Sequence, residues 1–365
     1  MEHRETLLAL FNKALDKGDM PAAWKNVIIV AVYKRKGPVD DCNNHREISL
    51  ISHNSKLLDR MLLERLEPGL EEYVPINQFG FKKKCGTADA ILISKLLGNS
   101  AYNQRMADIR CYVDLIKAYD KVIRELLWKI LHRLGIPDRL VNLIASFHNG
   151  ASAQAQVDGV LSSPFPLHRG LKQGSVLSPI LFNIFIGALI RAFEGECAQK
   201  EATSSQVLGA HIKYNLTDGF MSPTTLKNPS APGVLTHVLY DILYADDCVI
   251  FASSEEGLQS MMESFDRIST EFGMEIAIKK TQVLCNKFLP RPRGQVRVAP
   301  PPAHTILVTL KDGPAYRLRK RITQHKTPAE KDTRPQIAIG GKILEVVTQF
   351  KYLGCQDSST ATLTA

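Results

Sequence analysis

Apolar residues recur at intervals of three and four along several stretches of the chain, which is the spacing of one face of an α-helix. This pattern predicts helices in MEHRETLLALFNKAL, LLDRMLLERLEPGL, VIRELLWKILHRLG, PDRLVNLIASFH and EEGLQSMMESFDRISTEFG. In the last of these, Gly273 lies where a glycine commonly ends a helix. The longest apolar run, PILFNIFIGALI, is interrupted by Asn183 and is too short to span a bilayer, so we expect a buried helix.

Apolar stretches with strand character alternate with these helices. They predict strands in WKNVIIVAVYK, CYVDLI and AQAQV, and a hairpin where Gly340 and Gly341 separate two alternating segments. Strands and helices follow one another in an irregular order, without a regular βαβ repeat. We therefore predict an α+β fold with an antiparallel sheet. The 365 residues suffice for one large domain or two smaller ones.

Charge and cysteine content narrow the class of protein. The formal charge is +9, which favours polyanions as partners. Residues 286–335 contain twelve Lys or Arg against three acidic residues, together with several prolines, which predicts a poorly ordered insertion or linker. The seven cysteines are scattered and form no C-x-x-C pair, so we expect reduced thiols in an intracellular protein rather than disulfides or a zinc site. No membrane anchor is visible.

Two adjacent carboxylates, Asp246 and Asp247, interrupt the apolar stretch DILYADDCVIF. Burying both would be costly, so they either form a solvent-exposed hairpin tip or are neutralised by a bound cation. A third carboxylate, Asp114, interrupts the apolar strand in CYVDLIKAYDKV. Three such side chains at one edge of a sheet would suit Mg²⁺, and two ions could activate a hydroxyl and stabilise a leaving pyrophosphate. This pattern indicates polymerase chemistry.

A glycine-rich stretch, RGLKQGSVLSPILF, offers a second element of a nucleotide site. Gly170 and Gly174 permit close approach of the backbone to a ligand, and Lys172 and Gln173 supply donors. Ser178 and Pro179 suit the N-cap and the first position of the helix that follows. The stretch is either a nucleotide-binding loop or a flexible turn before a buried helix.

Several motifs resemble those of reverse transcriptases, specifically those of LINE-type (non-LTR) retrotransposons. LYADD, YVDLIKAYDKV and RGLKQGSVLSP resemble palm motifs, and FGMEIAIKKTQVL the fourth one. AAWKNVIIVAVYKRKG and NNHREISLISHNSKLLDRMLLERL resemble the fingers, INQFGFKKKCGTADAI the basic loop after them, and FKYLG the primer grip. The motifs follow the family order and cover roughly residues 20–285 and 337–354.

The resemblance implies a right-hand polymerase fold with fingers and a palm whose antiparallel sheet is flanked by helices. In a departure from the family, we expect the thumb to be missing. Residues 1–285 would form the fingers and palm, 286–335 a basic, proline-containing insertion or linker, and 336–365 the primer-grip hairpin with a truncated C-terminus. Full-length LINE proteins carry an upstream endonuclease for which this chain has no room. We therefore expect a truncated retroelement product.

The resemblance also implies a metal site. Asp114, Asp246 and Asp247 would form the catalytic metal site and hold two Mg²⁺ ions, for which Mn²⁺ could substitute. Lys280 would lie near the leaving pyrophosphate as a general acid, although a surface lysine at a strand end is the commoner explanation.

Contacts to the incoming dNTP follow from the same resemblance. Tyr119 would exclude a ribose 2′-hydroxyl by a steric clash, whereas its alternative role is that of a half-buried aromatic residue. The triphosphate would be held by Lys34, Lys36 and Arg46. Without the family context, the same residues would be interpreted as part of a solvated loop.

Template contacts are implied for two further groups of residues. Gln173 and Gly174 would shape the pocket around the templating base pair. Lys82, Lys83 and Lys84 would bind template phosphates without sequence preference and in a salt-dependent way.

The chain departs from the family pattern at three positions in these motifs. His45 replaces an aromatic residue, Glu47 replaces a proline beside Arg46, and Ala277 replaces an asparagine. The carboxylate of Glu47 weakens the positive potential around Arg46.

Three functional hypotheses follow. The first is an RNA-directed DNA polymerase that adds dNTPs to a DNA primer on an RNA template. The second is a catalytically silent nucleic-acid-binding remnant of a retroelement, favoured by the missing thumb, Glu47, Ala277 and the basic segment. The third, a small-molecule nucleotidyl cyclase, would not need the basic fingers. The resemblance implies the nucleus or cytoplasm and leaves the oligomeric state open. The basic cluster RLRKRITQHK is either a candidate import signal or solvated surface.

Overall fold

A computed structural model describes residues 2–104, 106–204, 206–215, 234–286 and 335–358 of the chain. The helices are α1 (Glu2–Lys17), α2 (Ala22–Lys25), α3 (His53–Leu70), α4 (Thr87–Gln104), α5 (Ala118–Lys121), α6 (Arg124–Arg133), α7 (Asp138–Ser146), α8 (Ser178–Ser204) and α9 (Glu255–Glu271). The strands up to the long helix are β1 (Val27–Tyr33), β2 (His45–Leu50), β3 (Asp108–Val113), β4 (Ser152–Val157), β5 (Val160–Leu161) and β6 (Phe165–Pro166). The later strands are β7 (Ala210–Asn215), β8 (Val234–Leu239), β9 (Asp241–Tyr244), β10 (Asp247–Ala252), β11 (Gln282–Asn286), β12 (Ala338–Ile339), β13 (Lys342–Ile343), β14 (Glu345–Val347), β15 (Gln349–Tyr352) and β16 (Cys355–Ser358).

The amphipathic helices predicted from the apolar spacing are all present, as α1, α3, α6, α7 and α9. Helix α9 illustrates how local sequence sets the boundaries. The hydroxyl of Ser254 accepts a hydrogen bond from the Gly257 amide at 3.0 Å and caps the first turn. After the last turn, Gly273 adopts a φ of 72°, the left-handed conformation that glycine tolerates at helix ends.

The first sheet is built mainly from the N-terminal part of the chain. Its strand order is β2-β1-β4-β5, and β6 also pairs with β4. Strands β1 and β2 are antiparallel neighbours joined by the polar loop 34–44, whereas β1 and β4 are parallel. This sheet contains the segments that resemble the fingers.

The second sheet has the strand order β14-β11-β3-β10-β9 and corresponds to the predicted palm sheet. The pairs β11–β3, β3–β10 and β10–β9 are antiparallel, as predicted. At the edge, β14 instead pairs in parallel with β11, so the sheet as a whole is mixed. The strand predicted through Asp114 ends earlier, at Val113, and Asp114 immediately follows it.

Helix α8 is the centre of the hydrophobic core. Its apolar residues lie on all sides, and a helix of that kind must be buried. The rings of Phe182, Phe185 and Phe193 are fully enclosed, and Phe193 meets Phe265 of α9 edge to face at 5.3 Å. The prediction of a buried helix is therefore confirmed. Ser178 is its first residue, and its hydroxyl donates to the Lys172 carbonyl at 2.8 Å, a different contact from the N-cap bond expected of it.

The segment predicted to be a basic insertion, residues 286–335, lies outside the described residues except at its two ends. Strand β11 ends just before the gap and pairs with β14 after it, so residues on both sides share one sheet. Beyond the gap, Gly340 and Gly341 form the predicted hairpin turn between β12 and β13, with φ angles of 54° and 75°.

Two predictions made from composition can be compared with the described part of the chain. All seven cysteines are free thiols, as expected. Among the described residues, no helix is both long and apolar enough to cross a membrane.

Candidate functional site

The two adjacent aspartates lie at the tip of the β9–β10 hairpin. Asp247 pairs with Tyr244, which leaves Ala245 and Asp246 as the turn residues. Ala245 is buried and adopts a φ of 58°, in the left-handed region. Asp246 and Asp247 are both exposed. The expectation of a solvent-exposed hairpin tip is therefore correct about the position of the two carboxylates.

Asp114 lies beside this tip. Val113, the last residue of β3, pairs with Cys248, and continuing that register by one residue brings Asp114 opposite Asp247. The Asp114 amide donates to the hydroxyl of Thr281 at 3.3 Å, and its carbonyl accepts from the Ala277 amide at 2.8 Å. Strand pairing and these bonds hold the third carboxylate next to the other two.

The electrostatics of the three carboxylates are coupled. Desolvation by the surrounding protein, with the negative charges of Asp246 and Asp114, raises the pKa of Asp247 to about 6. Desolvation also raises the pKa of Asp246, and the charge of Asp114 adds to that effect while Lys280 opposes it. The ammonium of Lys280 lies 3.3 Å from Asp114 Oδ1. The tip therefore concentrates negative charge that one nearby cation only partly compensates.

These side chains fit a magnesium site by their chemistry, since carboxylate oxygens are the ligands that Mg²⁺ prefers. The fit is incomplete in geometry. Among the residues that the structure describes, no three His, Cys, Asp or Glu side chains lie close enough to hold one ion. Ligation by all three aspartates would therefore require their side chains to turn towards a common point.

Tyr119 lies near the tip on helix α5. Its ring stacks on Phe182 with centroids 4.1 Å apart and meets Phe81 edge to face at 6.2 Å. Its hydroxyl oxygen is buried without a hydrogen-bond partner among the described residues. Burial, together with the charge of Asp246, raises the pKa of Tyr119. The ring is thus held rigidly from two sides in the neighbourhood of Asp246.

The glycine-rich loop packs tightly against helix α5 and strand β2. A Cβ atom at Gly170 would lie 2.6 Å from Asp120 Cα, and one at Gly174 would lie 2.7 Å from the Ser49 carbonyl oxygen. The Gln173 carbonyl accepts from the Ser49 amide at 2.8 Å, and its side chain hydrogen-bonds Asp120. Gln173 and Gly174 therefore lie where strand β2 meets the segment that follows β3.

Lys172, expected to offer a donor to a ligand, is buried behind this loop. Its ammonium donates to the Lys25 carbonyl at 3.2 Å, and burial lowers its pKa to about 8. Nearby, Asp59 accepts a hydrogen bond from the Ser175 hydroxyl at 2.7 Å, and burial raises the pKa of Asp59 to about 6. The expectation for Lys172 is wrong, because its side chain faces the interior of the protein.

The residues expected at the triphosphate lie on the β1–β2 hairpin, and all three are exposed: Lys34, Lys36 and Arg46. The Lys34 ammonium donates to the Asn43 carbonyl at 2.8 Å. Glu47, next to Arg46, forms an ion pair with Lys117 at 3.0 Å. That ion pair joins strand β2 to the segment that carries Asp114 and Tyr119.

The three lysines expected at the template follow the exposed ring of Phe81. Lys83 pairs with the carboxylate of Glu67 on helix α3. Lys84 is exposed and adopts a φ of 61°. Lys82 is partly exposed and precedes them in the same loop.

Sequence reasoning missed several buried polar residues around the site. Gln78 and Asn77 are buried and hydrogen-bond the β9–β10 hairpin, and Asp241 at its start is completely enclosed. Burial, with the charge of Glu194, raises the pKa of Asp241 well above its ordinary value. The sequence offers a signal for Asp241, because its charge lies at the edge of an apolar stretch. No local pattern marked Gln78.

Comparison with known proteins identifies one family model and several relatives encoded by mobile elements. The family model described as "Reverse transcriptase (RNA-dependent DNA polymerase)" matches residues 33–357. The "RNA-directed DNA polymerase from mobile element jockey" of Drosophila melanogaster is 30% identical over 181 residues, which are 49% of this chain and 20% of that protein. The "Retrovirus-related Pol polyprotein from type-2 retrotransposable element R2DM" of the same species is 28% identical over 264 residues, which are 70% of this chain and 21% of that protein.

Among solved structures, an apo telomerase of Candida tropicalis truncated from its C-terminal domain covers 73% of this chain and 51% of that one, with a TM-score of 0.47 and 12% identity. The matches thus span about a fifth of the length of the curated relatives. The resemblance to non-LTR retrotransposon proteins is confirmed. Because the family model matches most of its length, the chain belongs to the reverse transcriptase (RNA-dependent DNA polymerase) family.

Proposed function

We propose that this chain is the polymerase part of a retroelement protein and adds dNTPs to a DNA primer on an RNA template. The observation that carries the proposal is the convergence of Asp114, Asp246 and Asp247 at the adjoining ends of β3 and the β9–β10 hairpin, in a chain of this family. Residues 1–285 would provide fingers and palm, and 336–365 the primer grip.

The three aspartates would hold two Mg²⁺ ions, or Mn²⁺ in their place. When bound, such ions lower the pKa of the attacking hydroxyl and offset the charge on the leaving pyrophosphate. Lys280 would give a proton to the pyrophosphate oxygen. Its contact with Asp114 at 3.3 Å keeps the ammonium beside the carboxylates, which supports a position near the reacting phosphate.

Nucleotide selection would depend on side chains around this centre. Tyr119 would exclude the 2′-hydroxyl of an rNTP, and its stacking on Phe182 makes that barrier stiff. Gln173 and Gly174 would shape the pocket of the templating base pair. The triphosphate would be bound by Lys34, Lys36 and Arg46, and the template backbone by Lys82, Lys83 and Lys84.

Primer extension on an RNA template with Mg²⁺ tests this function. Asp246→Asn removes the charge with little change of shape, and we expect extension to fall by at least about a thousandfold, since metal chemistry of this kind accounts for several kcal/mol of the barrier. Asp158→Asn is the matched control, because Asp158 also lies at an exposed hairpin tip, with a φ of 48°. Equal activity of the parent and the Asp246 variant would refute the metal role.

A second candidate, a catalytically silent nucleic-acid-binding remnant, is favoured by one observation. The carboxylate of Glu47 engages Lys117 and adds negative charge beside Arg46. If a folded parent binds primed RNA yet extends no primer, and Glu47→Pro also fails to restore extension, the remnant is the better description.

A further inference from the structure

A short buried segment, residues 77–80, runs beside the hairpin that carries the aspartates. The Leu243 amide donates to the Asn77 carbonyl at 2.9 Å, and the Phe79 amide donates to the Leu243 carbonyl at 2.9 Å. Gln78 forms an isolated parallel bridge with Leu243. The segment thus acts as a short extra strand along β9.

The side chain of Gln78 reaches past this bridge to the turn itself. Its Oε1 accepts from the Ala245 amide at 2.9 Å and from the Gly80 amide at 2.8 Å. Its Nε2 donates to the Ala245 carbonyl at 3.2 Å. Gln78 is completely buried, so these bonds form away from competing water. One amide group therefore satisfies both backbone polar groups of Ala245.

Ala245 needs such support, because its left-handed φ of 58° is a strained conformation for a residue with a Cβ atom. Gly80 packs against the same residue so closely that any side chain at position 80 would overlap the Ala245 backbone nitrogen. Asn183 of helix α8 donates to the Gly80 carbonyl at 2.9 Å. The turn before Asp246 is therefore fixed from the core by hydrogen bonds and by close packing.

We propose that Gln78 is a positioning residue that fixes the Ala245–Asp246 turn and thereby holds the carboxylates of Asp246 and Asp247 in place for metal binding. This inference rests on the proposed polymerase function only where it is tested by the Mg²⁺ requirement of primer extension. Strand pairing alone leaves the two turn residues without partners in the ladder. The Gln78 amide supplies both partners for Ala245 and so sets the direction in which the next two side chains leave the turn.

The test compares Gln78→Met, which keeps length and volume but removes donor and acceptor, with Gln78→Glu, which keeps the acceptor. Gln259→Met is the matched control. The Gln259 side chain bonds one alanine in the same two-sided way, accepting from the Ala338 amide at 2.8 Å and donating to the Ala338 carbonyl at 3.0 Å.

Two readouts are used. The first is hydrogen exchange of the Ala245 amide in metal-free protein, which Gln78→Met should accelerate at least about fivefold, the factor that corresponds to one buried hydrogen bond of about 1 kcal/mol. The second is the Mg²⁺ concentration for half-maximal primer extension. We expect it to rise about tenfold in Gln78→Met, with a smaller rise in Gln78→Glu. A lower fraction of folded protein would reduce the rate without moving this concentration.

Each outcome decides the matter. Faster exchange and a raised Mg²⁺ requirement in Gln78→Met, with neither change in Gln259→Met, support the proposal. Unchanged exchange at Ala245, or an unchanged Mg²⁺ requirement in an active Gln78→Met protein, overturns it. A parent that extends no primer refutes the proposed function, and in that case exchange at Ala245 still decides whether Gln78 fixes the turn. If Gln78→Met does not fold, Gln78→Glu is judged by its Mg²⁺ requirement alone, because its retained acceptor keeps the Ala245 amide bonded. An unchanged Mg²⁺ requirement in that variant then overturns the proposal.

Discussion

At the scale of single residues, the carboxylates of the hairpin tip are exposed to solvent and repel one another. Asp246 and Asp247 are exposed, yet the protein around them and their mutual repulsion, with that of Asp114, raise the pKa of Asp247 to about 6. A raised pKa means that the folded protein binds the proton more tightly than the unfolded chain. Without a bound cation, the ionised tip therefore destabilises the fold.

The first prediction concerns pH. In metal-free protein, the free energy of unfolding should fall as the pH rises from about 4, the ordinary pKa of aspartate, to about 6. Asp247→Asn should remove only part of that fall, because Asp59, whose pKa is also raised to about 6, contributes over the same range. Above pH 6 the variant should unfold at a higher urea concentration than the parent, a gain of no more than about 1 kcal/mol because exposed charges are screened. Urea unfolding between pH 4 and 7 measures it. Mg²⁺ should stabilise the parent above pH 6 more than the variant, and equal stabilisation would contradict a metal at Asp247.

The second prediction concerns Tyr119. Its buried hydroxyl lacks a partner among the described residues, so Tyr119→Phe should leave stability and dNTP use nearly unchanged. Tyr119→Ala removes the ring beside Phe182 and should lower discrimination against rNTPs at least about tenfold, since a pocket contact of that size accounts for such factors. The ratio of kcat/KM for matched dNTP and rNTP measures it. Retained discrimination in Tyr119→Ala would exclude a steric role.

At the scale of elements, the C-terminal hairpin β15–β16 is attached to the palm sheet by a buried polar network. The Tyr112 hydroxyl donates to Asp357 Oδ2 at 2.7 Å, and an Arg110 nitrogen lies 3.1 Å from the same oxygen. The Tyr112 ring stacks on Phe350 at 4.0 Å. Arg110 and Tyr112 belong to β3, the strand that leads to Asp114, so the hairpin and the carboxylate share one support.

The third prediction follows from this network. Asp357→Ala leaves the buried guanidinium of Arg110 short of a partner and should destabilise the protein by about 3 kcal/mol. Tyr112→Phe removes one hydrogen bond and should cost about 1 kcal/mol. Gln356→Ala, on the exposed side of the same hairpin, is the control and should change little. Chemical denaturation ranks the variants, and equal effects of Asp357→Ala and Gln356→Ala would show that the network contributes nothing.

Elements were predictable from sequence wherever the signal is local. Apolar spacing identified α3, α6 and α9, and two glycines identified the β12–β13 hairpin. The parallel pairing of β11 with β14 was not predicted, because the two strands are separated by 58 residues and no local pattern specifies which strands pair. The end of β3 before Asp114 was misjudged for a related reason, since hydrogen bonds to the segment 277–281 replace the ladder there.

At the scale of the whole molecule, the sequence identified the three carboxylates that lie together at the hairpin tip better than it identified the residues that support them. The aspartates were recognisable because charges interrupt apolar strands and match family motifs. Gln78 was not recognisable, because its role depends on Ala245, which is 167 residues away. Lys172 was misassigned because a local pattern suggested a contact that its buried side chain does not make. A lysine in a glycine-rich loop suggests a ligand contact, yet this one reaches the carbonyl of Lys25 in the interior.

The last prediction concerns the salt dependence of template binding by the positively charged side chains. If the loop 82–84 contacts phosphates, Lys82→Ala should reduce the slope of log affinity against log salt by about 0.7, the value for one contact to a single strand. Glu67→Gln should increase the slope, because Glu67 neutralises Lys83 in the free protein. Lys129→Ala, on the exposed side of α6, is the control. Binding of labelled RNA between 50 and 300 mM salt, on the order of the range over which such slopes are measured, gives the values. Opposite changes in Lys82→Ala and Glu67→Gln would place the template at this loop, whereas slopes equal to that of Lys129→Ala would place the template path elsewhere on the protein.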